Sequence, residues 1–121
     1  MTSSEKILAG IAEESKAQAD KINSDAEKQA ADMGVTTEIR KLPMTFSGRF
    51  MAENEGETGL CKLILDAEKQ TVLGVHCIGN PCSEFIAAAS CAVSKGYTVA
   101  EMQQVVFPHP TVSEILHEVL H

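Results

Sequence analysis

A change of residue pattern near Gly34 is the feature that most constrains how this 121-residue chain can fold. Residues 2–33 contain no proline and one glycine, and they are rich in Ala, Glu, Lys, Asp and Ser. From Val35 onward, short segments of alternating or continuous apolar residues replace that composition. The first pattern favours a long helix and the second favours strands. We therefore expect an α+β protein in two parts, residues 1–34 and residues 35–121.

The first part predicts a single helix. Thr2 and Glu5 form a capping box and Gly34 is a typical helix stop, so the helix would span about 30 residues, or ~45 Å. Its large apolar residues are sparse, and three of them recur at eleven-residue intervals, at Ile11, Ile22 and Met33. A repeat of this length, about 3.67 residues per turn, favours a right-handed supercoil with a partner helix.

The second part predicts a mostly antiparallel sheet of four strands. The strand segments are residues 37–42, 44–52, 58–66 and 71–79. Pro43 separates the first two, and polar turns precede and follow the third. Because the last two strands carry apolar residues on both faces, we expect helices packed on one face and a second chain on the other.

Three helices are expected to complete the second part. Each has a start signal, which is Asn80 with Pro81, Thr98 with Glu101, or Thr111 with Glu114. The predicted helices are residues 81–95, 99–104 and 112–119, and Gly96 ends the first of them.

A histidine between two prolines is the strongest candidate for a functional residue. Pro108 and Pro110 restrict the backbone on both sides of His109, which therefore lies on a stiff, extended segment. Glu114 falls in the first turn of the helix that follows Thr111, so its carboxylate can reach back to the imidazole. A carboxylate on one ring nitrogen fixes the tautomer and raises the basicity of the other nitrogen. The pattern is typical of an acid–base histidine, although a rigid loop before a capped helix would also explain it.

Several motifs in one order identify a family resemblance. They are Gly59–Asp66, Val72–Gly79, Ser83–Ile86, His109–Thr111 and Ser113–Glu114. From about Met33 to Glu118 the chain resembles the C-terminal dimerisation domain of the pyridine nucleotide-disulfide oxidoreductases, and it is similar to the dihydrolipoamide dehydrogenases among them. The resemblance implies a homodimer. It also implies that His109 and Glu114 form a catalytic pair that works on a dithiol substrate in the other subunit's active site.

The resemblance further implies FAD and NAD(P) as cofactors of an intact family enzyme. This sequence has no Gly-x-Gly-x-x-Gly fingerprint after a strand, and it is too short for two Rossmann folds. We therefore expect no cofactor-binding residues in the chain and no reductase activity from it alone. The flavin and nicotinamide domains would have to be separate partners.

The N-terminal segment allows two further interpretations. Family domains open with a strand, and residues 5–14 could be its remnant, although their composition fits a helix better. Residues 13–30 also resemble the N-terminal helix of a V-type ATPase stalk protein. The alternative function is therefore that of a structural or assembly protein, in which this helix makes a stalk-like or coiled-coil contact.

The remaining cysteines and histidines carry weaker signals. Cys77 and Cys82 have the spacing of the family's redox disulfide but not its position, so we interpret the match as coincidence. Cys82, in a first helical turn, could still have a lowered pKa and be the most reactive thiol. The other expectations are small buried side chains at Cys61 and Cys91, a packed or cross-strand role for His76, and no metal site at His117 and His121.

Composition excludes several classes of partner. The net charge of −7 argues against nucleic acids and anionic membranes. No signal peptide is visible, and the charge-free apolar run Phe85–Ser94 is too short to cross a bilayer. Four cysteines without a targeting segment are typical of reduced thiols. We therefore expect a cytoplasmic protein.

Overall fold

The computed structural model describes residues 2–121, apart from the side chains at positions 23, 26, 27 and 29–31. Its contacts divide the chain into two compact units at Val35/Thr36, and each is described by itself. The helices and strands are α1 (Ser3–Asp32), β1 (Thr37–Pro43), α2 (Gly48–Glu53), β2 (Leu60–Asp66), β3 (Val72–Ile78), α3 (Cys82–Lys95), α4 (Val99–Gln103) and α5 (Ile115–Glu118).

The first unit is the predicted long helix. Both capping contacts at its start are present, since Glu5 Oε2 accepts from Thr2 N–H at 2.6 Å and Thr2 Oγ1 accepts from Glu5 N–H at 3.2 Å. Just after its end, Gly34 has a φ of 75°, which glycine adopts without strain. The interpretation of residues 5–14 as a remnant strand is therefore wrong. The large apolar side chains that the structure describes on α1, such as Ile11 and Ile22, are exposed.

The second unit contains a three-stranded antiparallel sheet in the order β1-β2-β3. The prediction of a fourth strand over residues 44–52 is wrong, because a 3₁₀ turn at Met44–Phe46 and then α2 occupy that segment. Ser47 explains the difference. Its hydroxyl accepts a hydrogen bond from Phe50 N–H and so caps a helix, using an amide that a strand would have paired. Met44 and Phe50 are both buried.

The hydrophobic core lies within the second unit. Cys61, Leu63 and Leu65 of β2 are buried, and α3 packs against β3. Near the C-terminus, Ile115 and Leu120 are also buried in this core. The core therefore joins β2 to the segment that follows the His109 loop.

The helix starts and ends agree only in part with the prediction. α3 begins at Cys82, and Pro81 occupies the cap position with no side-chain hydrogen bond. The prediction that Asn80 caps this helix is therefore wrong. Gly96, with a φ of 66°, ends α3 as expected. The predicted helix at residues 112–119 is a 3₁₀ turn at Val112–Glu114 followed by α5, so only its second half is α-helical.

Candidate acid–base site at His109

His109 lies in the loop between α4 and the 3₁₀ turn Val112–Glu114. Its Nδ1 is 2.8 Å from Oε1 of Glu114. The imidazole side chain is 82% exposed, whereas the Glu114 side chain is only 17% exposed. The structure therefore brings together the two residues that the sequence singled out. The imidazole ring lies in solvent, and the carboxylate that contacts it is largely buried.

Glu114 uses both carboxylate oxygens within this loop. Oε1 is in hydrogen-bond contact with Nδ1 of His109, and Oε2 accepts from the backbone N–H of Thr111 at 3.3 Å. The Thr111 hydroxyl donates to the carbonyl of Pro108 at 2.8 Å. These bonds close the segment 108–114 on itself, so the histidine is held by its own neighbours in sequence.

The contact determines which ring nitrogen remains available. An ionised carboxylate can only accept hydrogen bonds, so a bond at this distance to Glu114 requires a proton on Nδ1 of His109. In the neutral ring Nε2 then carries the free lone pair. Since the ring is exposed, Nε2 of His109 can exchange a proton with a group outside this domain.

The sequence did not single out Ser47, which also contributes to the site. Its side chain is buried, and its Oγ donates to the carbonyl of Thr111 at 3.1 Å. This bond ties the loop of His109 to the start of α2. The available signal was a serine three residues before an apolar residue, which is typical of a helix cap.

An open cleft of about 300 Å³ lies beside the loop. Residues 110–113 form one wall, and α2 and the first turns of α3 supply the rest. Arg49 and Glu53 form an ion pair among its lining residues, and Glu84 adds a second acid. The cleft therefore combines charged groups with apolar ones such as Phe85 and Val112, and the sequence had not indicated it.

Three of the four free cysteines lie together between the sheet and α3. Sγ of Cys77 donates to Sγ of Cys61 at 3.4 Å, which lowers the pKa of Cys61 and raises that of Cys77. Burial raises the pKa of Cys82 to about 11, with a further contribution from Cys77. The prediction of a lowered pKa at Cys82 is therefore wrong, because burial outweighs its position in a first helical turn. Cys61 is buried as predicted, but Cys91 is exposed.

The histidines outside the His109 loop lie in a strand pair or against other rings. His76 lies opposite Lys62 in the β2–β3 ladder, which confirms its cross-strand position. The ring of His117 lies 5.5 Å from Phe107 and 4.8 Å from His121, measured between centroids. Among the described residues, no group of three or more His, Cys, Asp or Glu side chains is arranged to hold a metal ion.

Sequence comparisons identify the domain. Residues 26–120 match the pyridine nucleotide-disulphide oxidoreductase dimerisation domain. The chain is 38% identical over 92 residues to dihydrolipoyl dehydrogenase of Thermus scotoductus, covering 76% of this chain and 20% of that protein. It is 37% identical over 93 residues to the mitochondrial dihydrolipoyl dehydrogenase of Caenorhabditis elegans, covering 77% and 19%. The chain thus spans about a fifth of the length of these curated relatives.

Solved structures show the same fold. The HOCl-induced flavoprotein disulfide reductase RclA from Escherichia coli matches with a TM-score of 0.68 at 24% identity, covering 78% of this chain and 21% of that one. LpdA from Mycobacterium tuberculosis matches with a TM-score of 0.68 at 22% identity, covering 78% and 20%. With the family match to residues 26–120, these findings show that the chain belongs to the pyridine nucleotide-disulphide oxidoreductase family and carries its dimerisation domain.

Proposed function

We propose that two copies of this domain associate and that His109, oriented by Glu114, serves as the acid–base residue of a disulfide reductase active site completed by other domains. The observation that carries the proposal is the 2.8 Å contact between Nδ1 and the carboxylate of Glu114, on a ring that is 82% exposed. A histidine with only a structural role would gain little from a largely buried carboxylate that leaves its second nitrogen in solvent.

The outer face of the sheet supports association with a second copy. Its residues form three cross-strand rows, which are Ile39, Ile64 and Gly74; Lys41, Lys62 and His76; and Pro43, Leu60 and Ile78. Ile39, Leu60 and Ile78 are 40%, 38% and 71% exposed, so apolar surface remains uncovered on this side. We propose that helices cover the other face and that a second chain covers this one, giving the homodimer.

The chemistry assigned to this chain is proton transfer. Nε2 of His109 would accept a proton from a thiol of a dithiol substrate and return one to a thiolate leaving group. Glu114 would hold the ring in the Nδ1–H tautomer throughout and stabilise the imidazolium when the ring carries two protons. Rate contributions of ~10²–10⁴ are typical of a positioned acid–base group.

The described residues do not form a site for FAD or NAD(P). Such sites are built on parallel βαβ units with a glycine-rich turn, and the sheet described between Thr37 and Ile78 is antiparallel. Both cofactors would therefore be held outside these residues, and we expect the purified chain to show no NADH-dependent reduction of lipoamide above buffer.

A domain exchange tests the proposal. Residues 36–121 would replace the matching segment of the Thermus scotoductus dihydrolipoyl dehydrogenase, and NADH-linked lipoamide reduction would be measured with flavin content and oligomeric state. We expect an active dimer in which His109→Gln lowers the rate by ~10²–10⁴. The control is His121→Gln, which removes an exposed histidine outside the proposed pair. A dimer of normal flavin content with full activity in His109→Gln would contradict the acid–base role.

The alternative function is that of an assembly protein that associates through α1. Exposed Ile7, Leu8, Ile11 and Ile22 on that helix favour it. Light scattering on the full chain and on residues 36–121 distinguishes the two functions, because the whole buried core lies within the shorter segment. A dimer that persists without α1 supports the first function, and loss of assembly supports the second.

We also propose a cytoplasmic location. All four cysteines are free thiols, which fits a reducing compartment. No helix within residues 2–121 has the length and apolar character needed to cross a membrane.

A further inference from the structure

Ser47 has a position unlike that of any other polar residue described in the structure. Its side chain is buried, with 1% of its surface exposed, and no other polar or charged residue among those described is buried to this degree. Oγ accepts from Phe50 N–H at 3.2 Å and donates to the Thr111 carbonyl at 3.1 Å. One hydroxyl thus joins the cap of α2 to a residue 64 positions away.

Thr111 is the point through which Ser47 reaches the candidate site. Its carbonyl is held by Ser47, its N–H by Oε2 of Glu114 at 3.3 Å, and its hydroxyl by the Pro108 carbonyl at 2.8 Å. His109 lies two residues before it and Glu114 three residues after it. A change of backbone conformation at Thr111 therefore acts on the segment that joins His109 to its carboxylate.

We infer that Ser47 is a positioning residue that keeps Nδ1 of His109 in hydrogen-bond contact with Glu114; its value for catalysis rests on the proposed acid–base function. Without the hydroxyl, the Thr111 carbonyl loses the shorter of its two described hydrogen bonds and keeps only the one from Glu114 N–H at 3.4 Å. A part-buried carbonyl held by this longer bond alone gains by turning toward water, and the loop moves with it. In an enzyme, a displacement of 1 Å at a reacting group can lower the rate by ~10²-fold.

The test is the tautomer of His109 in the full chain, measured by two-bond ¹H–¹⁵N correlation spectra of the imidazole rings. His109→Gln assigns the signal. We expect the Nδ1–H form in the wild-type protein, its loss in Ser47→Ala, and its return in Ser47→Thr, which keeps a donor and an acceptor. Thr98→Ala is the matched control, because it removes the hydroxyl that caps the short helix α4 and makes no described bond to the His109 loop.

The inference is overturned if Ser47→Ala keeps the wild-type tautomer, or if Thr98→Ala loses it to the same extent. Should Ser47→Ala fail to fold, Ser47→Cys replaces it, since the thiol is similar in size and a weaker donor. An intermediate Nδ1–H fraction in Ser47→Cys then supports the role, and an unchanged fraction contradicts it. The tautomer measurement needs no cofactor, so the two proposals can fail separately. If Ser47→Ala loses the Nδ1–H form as expected but the domain-exchange enzyme does not depend on His109, only the proposed function is refuted.

Discussion

Cys61 and Cys77 face each other in register across the β2–β3 ladder, and their Sγ atoms lie 3.4 Å apart. Cys77 acts as the donor, so the proton is shared toward Cys61 and the pKa of Cys77 rises. Cys82 begins α3 close to this pair, and burial is the main cause of its raised pKa. Cys61 is thus a core residue, and the partly buried Cys77 and Cys82 pack against the core.

Iodoacetamide labelling should therefore favour Cys91, the exposed cysteine, over Cys82. Because the thiolate is the nucleophile and the pKa of Cys82 is raised to about 11, its rate should increase about tenfold per pH unit from pH 8 to 10. Tandem mass spectrometry locates the modified residue, and Cys91→Ser removes the competing signal. A labelling midpoint for Cys82 near pH 8.5, the value of a free cysteine, would contradict this prediction.

Glu114→Gln should weaken proton transfer in the domain-exchange enzyme without abolishing it. The amide oxygen can still accept from Nδ1 of His109, but the negative charge that stabilises the imidazolium is lost. Loss of the carboxylate partner of a metal-bound histidine typically costs ~10–100-fold, and we expect a loss of at least that order here, no greater than that from removal of the histidine itself. The rate constant of lipoamide reduction gives the measurement, and Glu101→Gln, which removes the capping carboxylate of α4, is the control. Equal rates for wild type and Glu114→Gln would refute the orienting role.

Gly59→Ala should destabilise the second unit. A Cβ at this position would lie 2.3 Å from the Ile78 carbonyl oxygen and 2.7 Å from Cγ of Met44, so backbone must move. We expect a loss of ~1–3 kcal/mol in the free energy of unfolding, the range of other overpacked sites. Gly48→Ala is the matched control, since a Cβ there meets nothing within 4 Å. Urea unfolding distinguishes them, and equal midpoints for the two variants would show that the close approach at Gly59 is absent.

Stability should fall at acid pH in part through Asp66. Its Oδ1 accepts the backbone N–H groups of Lys69 and Glu68, and the bond from Lys69 is the main cause of its lowered pKa. A carboxylate with a folded-state pKa below its unfolded value stabilises the fold above that unfolded value, about 3.9, and this contribution is lost as pH falls through the folded-state pKa. Asp66→Asn should therefore flatten the dependence of unfolding free energy on pH below about 4.

The control for Asp66 is Glu68→Gln, which removes a nearby carboxylate of the same turn that makes no side-chain hydrogen bond among the described residues. Urea unfolding between pH 2.5 and 7 gives the comparison for all three proteins. If Asp66→Asn shows the same acid dependence as the wild type, the turn at residues 66–69 does not contribute to it.

Much of the site could be predicted because it is local. His109, Thr111 and Glu114 lie within six residues, and the prolines and the helix start restrict how that segment can bend. Ser47 could not be predicted, since its bond to Thr111 depends on how α2 packs against a loop 64 residues later. The mistaken strand over residues 44–52 also involves Ser47. An alternating pattern does not show that the Ser47 hydroxyl will accept from a backbone N–H and start a helix.

The start and stop signals of α1 at Thr2 and Gly34, the three strands and the capped start of α4 could be read from the sequence, because capping and period-two patterning involve residues close in the chain. The partial burial of Cys82, the exposure of Cys91 and the anchoring of the C-terminus, where Arg40 donates to the Leu120 carbonyl 80 residues away, became known only from the packed structure. Such contacts exist only after the chain has packed, since burial and long-range hydrogen bonds depend on which surfaces the core brings together.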